Sequence, residues 1–205
     1  MQPEKICELL KEKIIWLDLM PESVLNLSEL ASSFGVSRTP VKEALIFLQA
    51  EGWVSRNEAH FIVTPLSLDR IRGTVEIRSV MEVQSNVWAM YRITPEELAL
   101  LQEVKKEIMQ VSEKASNKYL VQLDVKFHQI LFDATKNSQL SQLLKRLLSH
   151  YLRFWLSIPR EIEPRSFFAE TLEIIRAIET KDEPRLRAGS AAHIKNSVDE
   201  IMGTF

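Results

Sequence analysis

SRTPVKEALIFLQAEG, Ser37 to Gly52, carries the marks of a short helix at both ends. Ser37 is placed to cap the N-terminus, and Pro40 falls in the first turn, where N–H groups have no helical partner to lose. Val41, Ala44, Leu45 and Leu48 recur at helical spacing as one apolar face, and Gly52 stops the pattern. Immediately before it, Ser28 to Phe34 fits a second short helix, with Leu27, Leu30, Ala31 and Phe34 apolar. Gly35 then suits a left-handed helix end, a conformation only glycine adopts cheaply. Two short helices meeting across Gly35-Val36-Ser37 follow the helix-turn-helix plan.

Further outward, residues 3–17 place Ile6, Leu9, Leu10, Ile14 and Leu17 on one side of an amphipathic helix. Met20-Pro21 follows as extended or turned backbone, because the residue before proline avoids the α region. On the other side, Trp53–Arg56 and His60–Thr64 are β-prone runs around the polar tip Asn57-Glu58-Ala59, which predicts a two-stranded wing. Pro65-Leu66-Ser67 reads as a linker. Beyond it, helical patterns cover roughly 68–91, 95–114, 117–135, 138–158, 164–180 and 183–202. Thr94-Pro95-Glu96-Glu97 sets an N-cap, a first-turn proline and early acids together. The expected fold is therefore mainly α: a winged helix-turn-helix over 1–66 and an all-α bundle of six or seven helices over 67–205.

Composition narrows the function classes. Charged residues make up 26% of the 205 and hydrophobic ones 45%, ordinary for a globular protein and against wholesale disorder. With 5 Gly and 8 Pro, the chain is too poor in breakers for a turn-rich β-sandwich. The single cysteine, Cys7, excludes an internal disulfide framework. No apolar run reaches a membrane span and the N-terminus has no signal-like apolar core, so a cytoplasmic location without membrane partners is expected. Charge gives no basic footprint of the kind DNA binders carry. Residues 1–65 hold 6 Lys and Arg against 9 Asp and Glu, a net of −3, within a chain total of −2.

Leu30-Ala31, Gly35 to Leu45, and Leu48 with Glu51-Gly52 form a pattern that resembles the DNA-binding motif of GntR-type bacterial transcription regulators. The residues make chemical sense of that resemblance. A helix N-terminus bearing Ser37, Arg38 and Thr39 offers free N–H groups, hydroxyls and a guanidinium to phosphates and guanine edges. Lys42 lies one turn beyond Arg38 on the same face. The resemblance implies that Arg38 reads a base, that Ser37, Thr39 and Lys42 hold backbone or bases, and that the wing with His60 reaches the adjacent minor groove. Ser28, Lys42 and His60 depart from residues usual in the family, an arginine, an arginine and a glycine.

The remainder resembles the helical effector domain called FCD in the FadR branch of that family. The match rests on Glu76-x-Arg78-x3-Glu82, on Asp124-x2-Phe127-His128-x5-Ala134-x2-Asn137, and on Ile174 through Ala177, Ile178 and Asp182 to His193. Asp124 and His128, at i and i+4, share one helical face about 6 Å apart and can chelate one divalent ion. The resemblance adds His193 as a third ligand and places a fourth, usually histidine, at Thr171, a poor ligand for Zn²⁺ or Ni²⁺. Three ligands plus water or an effector carboxylate still make a workable site for Zn, Ni or Mn, with Glu170 or Glu173 able to swing in. Arg78, Arg153 and Thr171 are the expected effector-binding residues, with an Arg78–Glu82 salt bridge as the structural alternative.

The expectation is thus a ligand-responsive regulator, a repressor, binding double-stranded operator DNA as a homodimer and a small organic acid as effector. Two other classes compete: a metal-dependent hydrolase or lyase using the helical Asp/His site, and a winged-helix interaction protein with little DNA affinity.

Overall fold

The structure, a computed structural model, describes residues 1–57 and 60–203. The chain divides into two compact units, Met1–Ser67 and Leu68–Phe205.

The first unit opens with α1 (Pro3–Ile15), a two-residue strand β1 (Val24–Leu25), then α2 (Leu27–Phe34) and α3 (Arg38–Ala50), followed by β2 (Val54–Asn57) and β3 (His60–Val63). Local signals set these boundaries. The Asn26 side chain accepts from the Ser28 and Glu29 N–H groups at 2.9 and 3.3 Å, opening α2 one residue earlier than its apolar pattern suggests. Gly35 closes α2 with φ +64, the left-handed conformation expected of it. Ile6, Leu10 and Ile14 from α1 and Val41, Ala44, Leu45 and Leu48 from α3 are fully buried in one core with Trp53.

The wing holds a strand that the sequence does not announce. The sheet order is β1-β3-β2, antiparallel throughout, with Val24 opposite Ile62 and Leu25 opposite Phe61. Two residues are too few to display strand alternation, so only the pairing with β3 reveals β1. Of the predicted tip, Asn57 pairs with His60, while Glu58 and Ala59 lie outside the described residues.

The second unit is a bundle of α4 (Leu68–Arg92), α5 (Pro95–Met109), α6 (Asn117–Ala134), α7 (Ser138–Leu156), α8 (Pro164–Phe167), α9 (Ala169–Thr180) and α10 (Glu183–Met202). The Thr94–Glu97 capping box is complete, with reciprocal bonds of 3.2 and 3.0 Å. Two expected helices change. α5 stops at Met109 rather than 114, where Ser112 bonds the Lys114 N–H and draws the backbone into a turn. The expected 164–180 helix breaks at Phe168 (φ −102, ψ 5). The break lets Phe167 meet Trp155 edge-on at 4.9 Å and Phe168 meet Phe167 at 4.8 Å, so aromatic packing overrides continuous helical hydrogen bonding. α9 and α10 form an antiparallel hairpin turned by Lys181 in the left-handed region, φ +56. Gly189 of α10 lies against Ile174 of α9, where an added Cβ would sit 3.4 Å from the Ile174 side chain. Close helix approach at this level sets His193, one turn on, opposite the Thr171 end of α9.

Candidate functional site

Two groups of chemistry-bearing residues emerge, one in each unit. On the first, Ser37 occupies the N-cap position of α3 but makes no side-chain capping bond. Its hydroxyl and the first-turn N–H groups therefore remain available to an external acceptor. Ser37, Arg38, Thr39 and Lys42 are all exposed, while Val41, Ala44 and Leu45 on the opposite side are buried. His60 is exposed at the start of β3. Arg56 on β2, which the sequence reading passed over, stands over the Phe61 ring at 5.7 Å and adds a cation to the wing.

On the second unit, α4, α6 and α10 bring a buried polar cluster together. Arg78 and Glu82, one turn apart on α4, form a forked pair: Arg78 Nε donates to Glu82 Oε2 at 2.7 Å and Nη2 to Oε1 at 3.2 Å. Both side chains are almost wholly buried. Burial opposes the charge on Arg78, but Glu82 more than offsets this and raises its pKa. Burial likewise favours a neutral Glu82, yet Arg78, and then His128, hold its carboxyl well below the usual carboxylate range. The pair is thus an ion pair. Its structural role was legible in the i,i+4 spacing, but its contact with the histidine was not.

His128 sits between two carboxylates. Its Nδ1 lies 3.2 Å from Glu82 Oε1, close but out of line for a hydrogen bond, and its Nε2 lies 3.5 Å from Asp124 Oδ2. The same Nε2 is 3.2 Å from Nε2 of His193. Burial, more than any other influence, pushes the His193 pKa down, favouring the neutral imidazole that a metal requires. Asp124 Oδ1 is buried with no hydrogen-bond partner. His128 and His193 thus face each other, with Asp124 beside His128.

This arrangement fits a divalent ion. Two imidazole nitrogens bound to one tetrahedral ion at about 2.0–2.1 Å stand about 3.3 Å apart, close to the separation here. Asp124 approaches the same His128 Nε2 through Oδ2, but it stands outside the set whose ligand atoms all lie within 4.8 Å of one another, His128, His193 and Glu82. Glu82 belongs to that set. It faces the other ring nitrogen of His128, which makes it the carboxylate that orients a ligating histidine rather than a ligand on the Nε2 side. Without an ion, one Nε2 must carry the proton that bonds the other.

A cavity of about 580 Å³ opens beside the cluster, within the range of small-molecule sites. Arg78, Asp124, His128 and His193 contribute to its wall, with Tyr151 and Trp155 from α7. The Tyr151 hydroxyl bonds Ser197 Oγ at 2.8 Å, and burial raises its pKa to about 12, so it stays protonated. Arg78 stands over the Tyr151 ring at 4.7 Å. Of the expected effector residues, Arg78 lines the cavity. Arg153 and Thr171 are buried but are not among its lining residues, and burial, then Arg70, lowers the Arg153 pKa to about 10. Glu170 lines the cavity and accepts from Asn196 at 2.6 Å, whereas Glu173 is taken up by Arg176 and Arg185.

Comparison with known proteins identifies this architecture. Residues 74–196 match the FCD domain and residues 2–59 match the bacterial regulatory proteins of the gntR family. The chain belongs to the FCD-bearing gntR-family regulators. Among relatives, the Nta operon transcriptional regulator of Aminobacter aminovorans is 28% identical, the match covering 89% of this chain and 86% of that protein. LutR, an HTH-type transcriptional regulator of Bacillus subtilis, is 27% identical over 92% of this chain and 95% of its own. In fold, the chain matches McbR/YncC of Escherichia coli with a TM-score of 0.86 at 22% identity, covering 98% and 97% of the two chains. As a gntR-family member it is a transcriptional regulator with a DNA-binding helix-turn-helix and an effector-binding FCD domain. The relatives are regulators rather than enzymes, which sets aside the hydrolase or lyase alternative. Among the described residues, no helix is long and apolar enough to cross a membrane.

Proposed function

We propose that this regulator is a homodimeric, cytoplasmic repressor that leaves its operator when an organic acid enters the FCD cavity. The observation that carries the DNA half is the exposed, uncapped N-terminus of α3 with Arg38, Thr39 and Lys42 on its outer face. Arg38 reads a guanine edge; Ser37, Thr39 and Lys42 hold phosphates, and His60 follows the minor groove. Two copies present two such helices to a palindrome. An exposed apolar stripe on α4, with Ile77, Val80 and Tyr91, supports self-association of the FCD unit. The acidic balance of residues 1–65 makes binding depend on these few contacts.

Operator sequences selected from a random duplex pool provide the test. Arg38→Ala is expected to weaken binding by about 1–3 kcal/mol, roughly 10- to 100-fold, and to relax preference at one base position. Lys42→Ala should weaken all sequences alike and reduce the salt slope by about 1. Equal binding by wild type and both variants would discard these residue assignments, and failure to bind any DNA would favour a winged-helix interaction protein.

For the effector half, Asp124, His128 and His193 hold one divalent ion of the Zn, Ni or Mn type, with Glu82 orienting His128. The ion supplies a Lewis-acidic coordination position for an effector carboxylate, and Arg78 donates to the same group. Protein purified without chelator is expected to carry about one ion per chain, lost in Asp124→Ala and in His193→Ala with helical circular dichroism retained. Metal-free protein after a zinc and nickel challenge would sink the ion-binding assignment. Effector binding changes DNA affinity only through unequal affinity for two arrangements of the dimer, and α4, which follows the 65–67 linker, is the element that both activities share.

A further inference from the structure

The charge of the cavity wall bears on the effector's own charge. Its lining includes five carboxylates, Asp124, Glu163, Glu170, Asp199 and Glu200, against two guanidiniums, Arg78 and Arg160, an excess of three acidic side chains. Several of these are already engaged. Glu163 accepts from the Arg165 and Ser166 N–H groups at 3.0 and 2.6 Å, capping α8. Glu200 is paired with Arg160. Glu82, outside the lining, neutralises Arg78. That leaves Glu170, which accepts through one oxygen from neutral Asn196, and Asp199, exposed on α10, as acids with no cationic partner among the described ion pairs. A divalent ion at the histidines would still leave the wall negative.

Two buried atoms show that the inner end lacks partners. Arg78 Nη1 is a donor with no acceptor, and Asp124 Oδ1 is an acceptor with no donor. Both residues are more than nine-tenths buried and both line the cavity. Leaving a buried donor unpaired is costly, so a ligand carboxylate that meets Arg78 Nη1 recovers part of that cost. Trp155, Phe167 and Ile162 add apolar and aromatic surface to the same wall.

We infer that the effector is an ω-amino acid: a carboxylate held at the Arg78 end, an apolar body against Trp155 and Phe167, and, at the far end of that body, an ammonium facing Glu170 and Asp199. A di- or tricarboxylic acid is disfavoured, because its second charge would enter a wall that already carries excess negative charge. This inference rests on the effector-binding reading above and narrows its organic acid to one that also carries an ammonium group.

Calorimetric titration of the full chain, with and without added Zn²⁺, tests it using compounds that share one body. 6-Aminohexanoate is compared with hexanoate (no ammonium), hexylamine (no carboxylate) and heptanedioate (a second carboxylate in place of the ammonium), and 8-aminooctanoate with octanoate. At least one ω-amino acid is expected to bind tenfold or more tightly than its deaminated partner, with heptanedioate weakest of the first set. In Glu170→Gln/Asp199→Asn that tenfold gap should fall below threefold, because only the ammonium's partners are lost. Heptanedioate or a deaminated acid binding as tightly as its ω-amino acid, an unchanged gap in the double variant, or no binding by any compound would overturn the inference. Operator binding by the same preparation separates the two levels. DNA released by a dicarboxylate alone would refute the zwitterion while sparing the repressor reading, and failure to select any DNA would refute that reading itself.

Discussion

Glu82→Ala is expected to destabilise the FCD unit by about 3–5 kcal/mol, enough to unfold a large fraction of it near physiological temperature. The reason lies in what the substitution leaves behind. Arg78 is 1% exposed and its Nε and Nη2 donate to Glu82 alone among the described bonds, while Nη1 already lacks an acceptor. Removing the carboxylate strands a guanidinium in the interior without its forked partner, over the Tyr151 ring face. His128 also loses the carboxylate at its Nδ1 side. Chemical denaturation of full-length protein, followed by the near-ultraviolet signal of the FCD unit, measures the loss. The paired replacement Arg78→Met/Glu82→Met should return stability to within about 1–2 kcal/mol of wild type, since a buried ion pair is often no better than apolar residues of like volume. A Glu82→Ala protein as stable as wild type would show that water reaches Arg78, and the buried pair would then not be the support of the site. The double replacement should also lose cavity function, separating stability from binding.

Trp53→Ala should cost the first unit about 3–5 kcal/mol and abolish operator binding without touching a DNA-contacting residue. Trp53 is fully buried, packed among Leu10, Ile14, Leu45 and Leu48. Its Nε1 donates to Glu51 Oε2 at 3.0 Å, and Lys11 holds the same carboxylate oxygen at 2.6 Å and lies over the indole at 5.4 Å. One residue thus fastens α1, the end of α3 and the start of β2. Truncation leaves a cavity at the junction and frees α3 from its frame. Trp53→Phe, which fills most of the space but lacks the N–H, should cost about 1–2 kcal/mol and keep DNA affinity. Proteolysis of the two units, read by mass spectrometry, should show the first unit cut early in Trp53→Ala and the second unaffected. Equal protection of both units would mean the site collapses around the missing ring.

The exposed N-terminus of α3 and the buried cluster differ in how far they could be foreseen. Arg38, Thr39 and Lys42 were visible because helix caps, the Gly35 turn and the apolar face of α3 are all encoded within 16 consecutive residues, from Gly35 to Ala50. The Asp124–His128 pair was visible for the same reason, being one turn apart on α6. His193 could be joined to it only through the family resemblance, since 65 residues separate it from His128. Glu82 was read as the partner of Arg78, but its approach to His128 required α4 and α6 to pack. The cavity acids Glu170 and Asp199, 29 residues apart in sequence, gave no signal of belonging to one wall.

By itself the sequence determined the helix-turn-helix, the helical character of the chain beyond it and the polar residues that the N-terminus of α3 exposes. Those features depend on dihedral preferences, caps and periodicities that act over one to four turns. Only the tertiary structure decided that Val24-Leu25 adds a third strand to the wing, that Phe168 divides the 164–180 helix, and that the two histidines face each other across 3.2 Å. Each of these is settled by a partner distant in sequence, where packing and hydrogen-bond satisfaction outweigh local preference. The charge of the cavity wall belongs with them, because its sign is a property of side chains gathered from α4, α6, α8, α9 and α10, and no single stretch of the chain carries it.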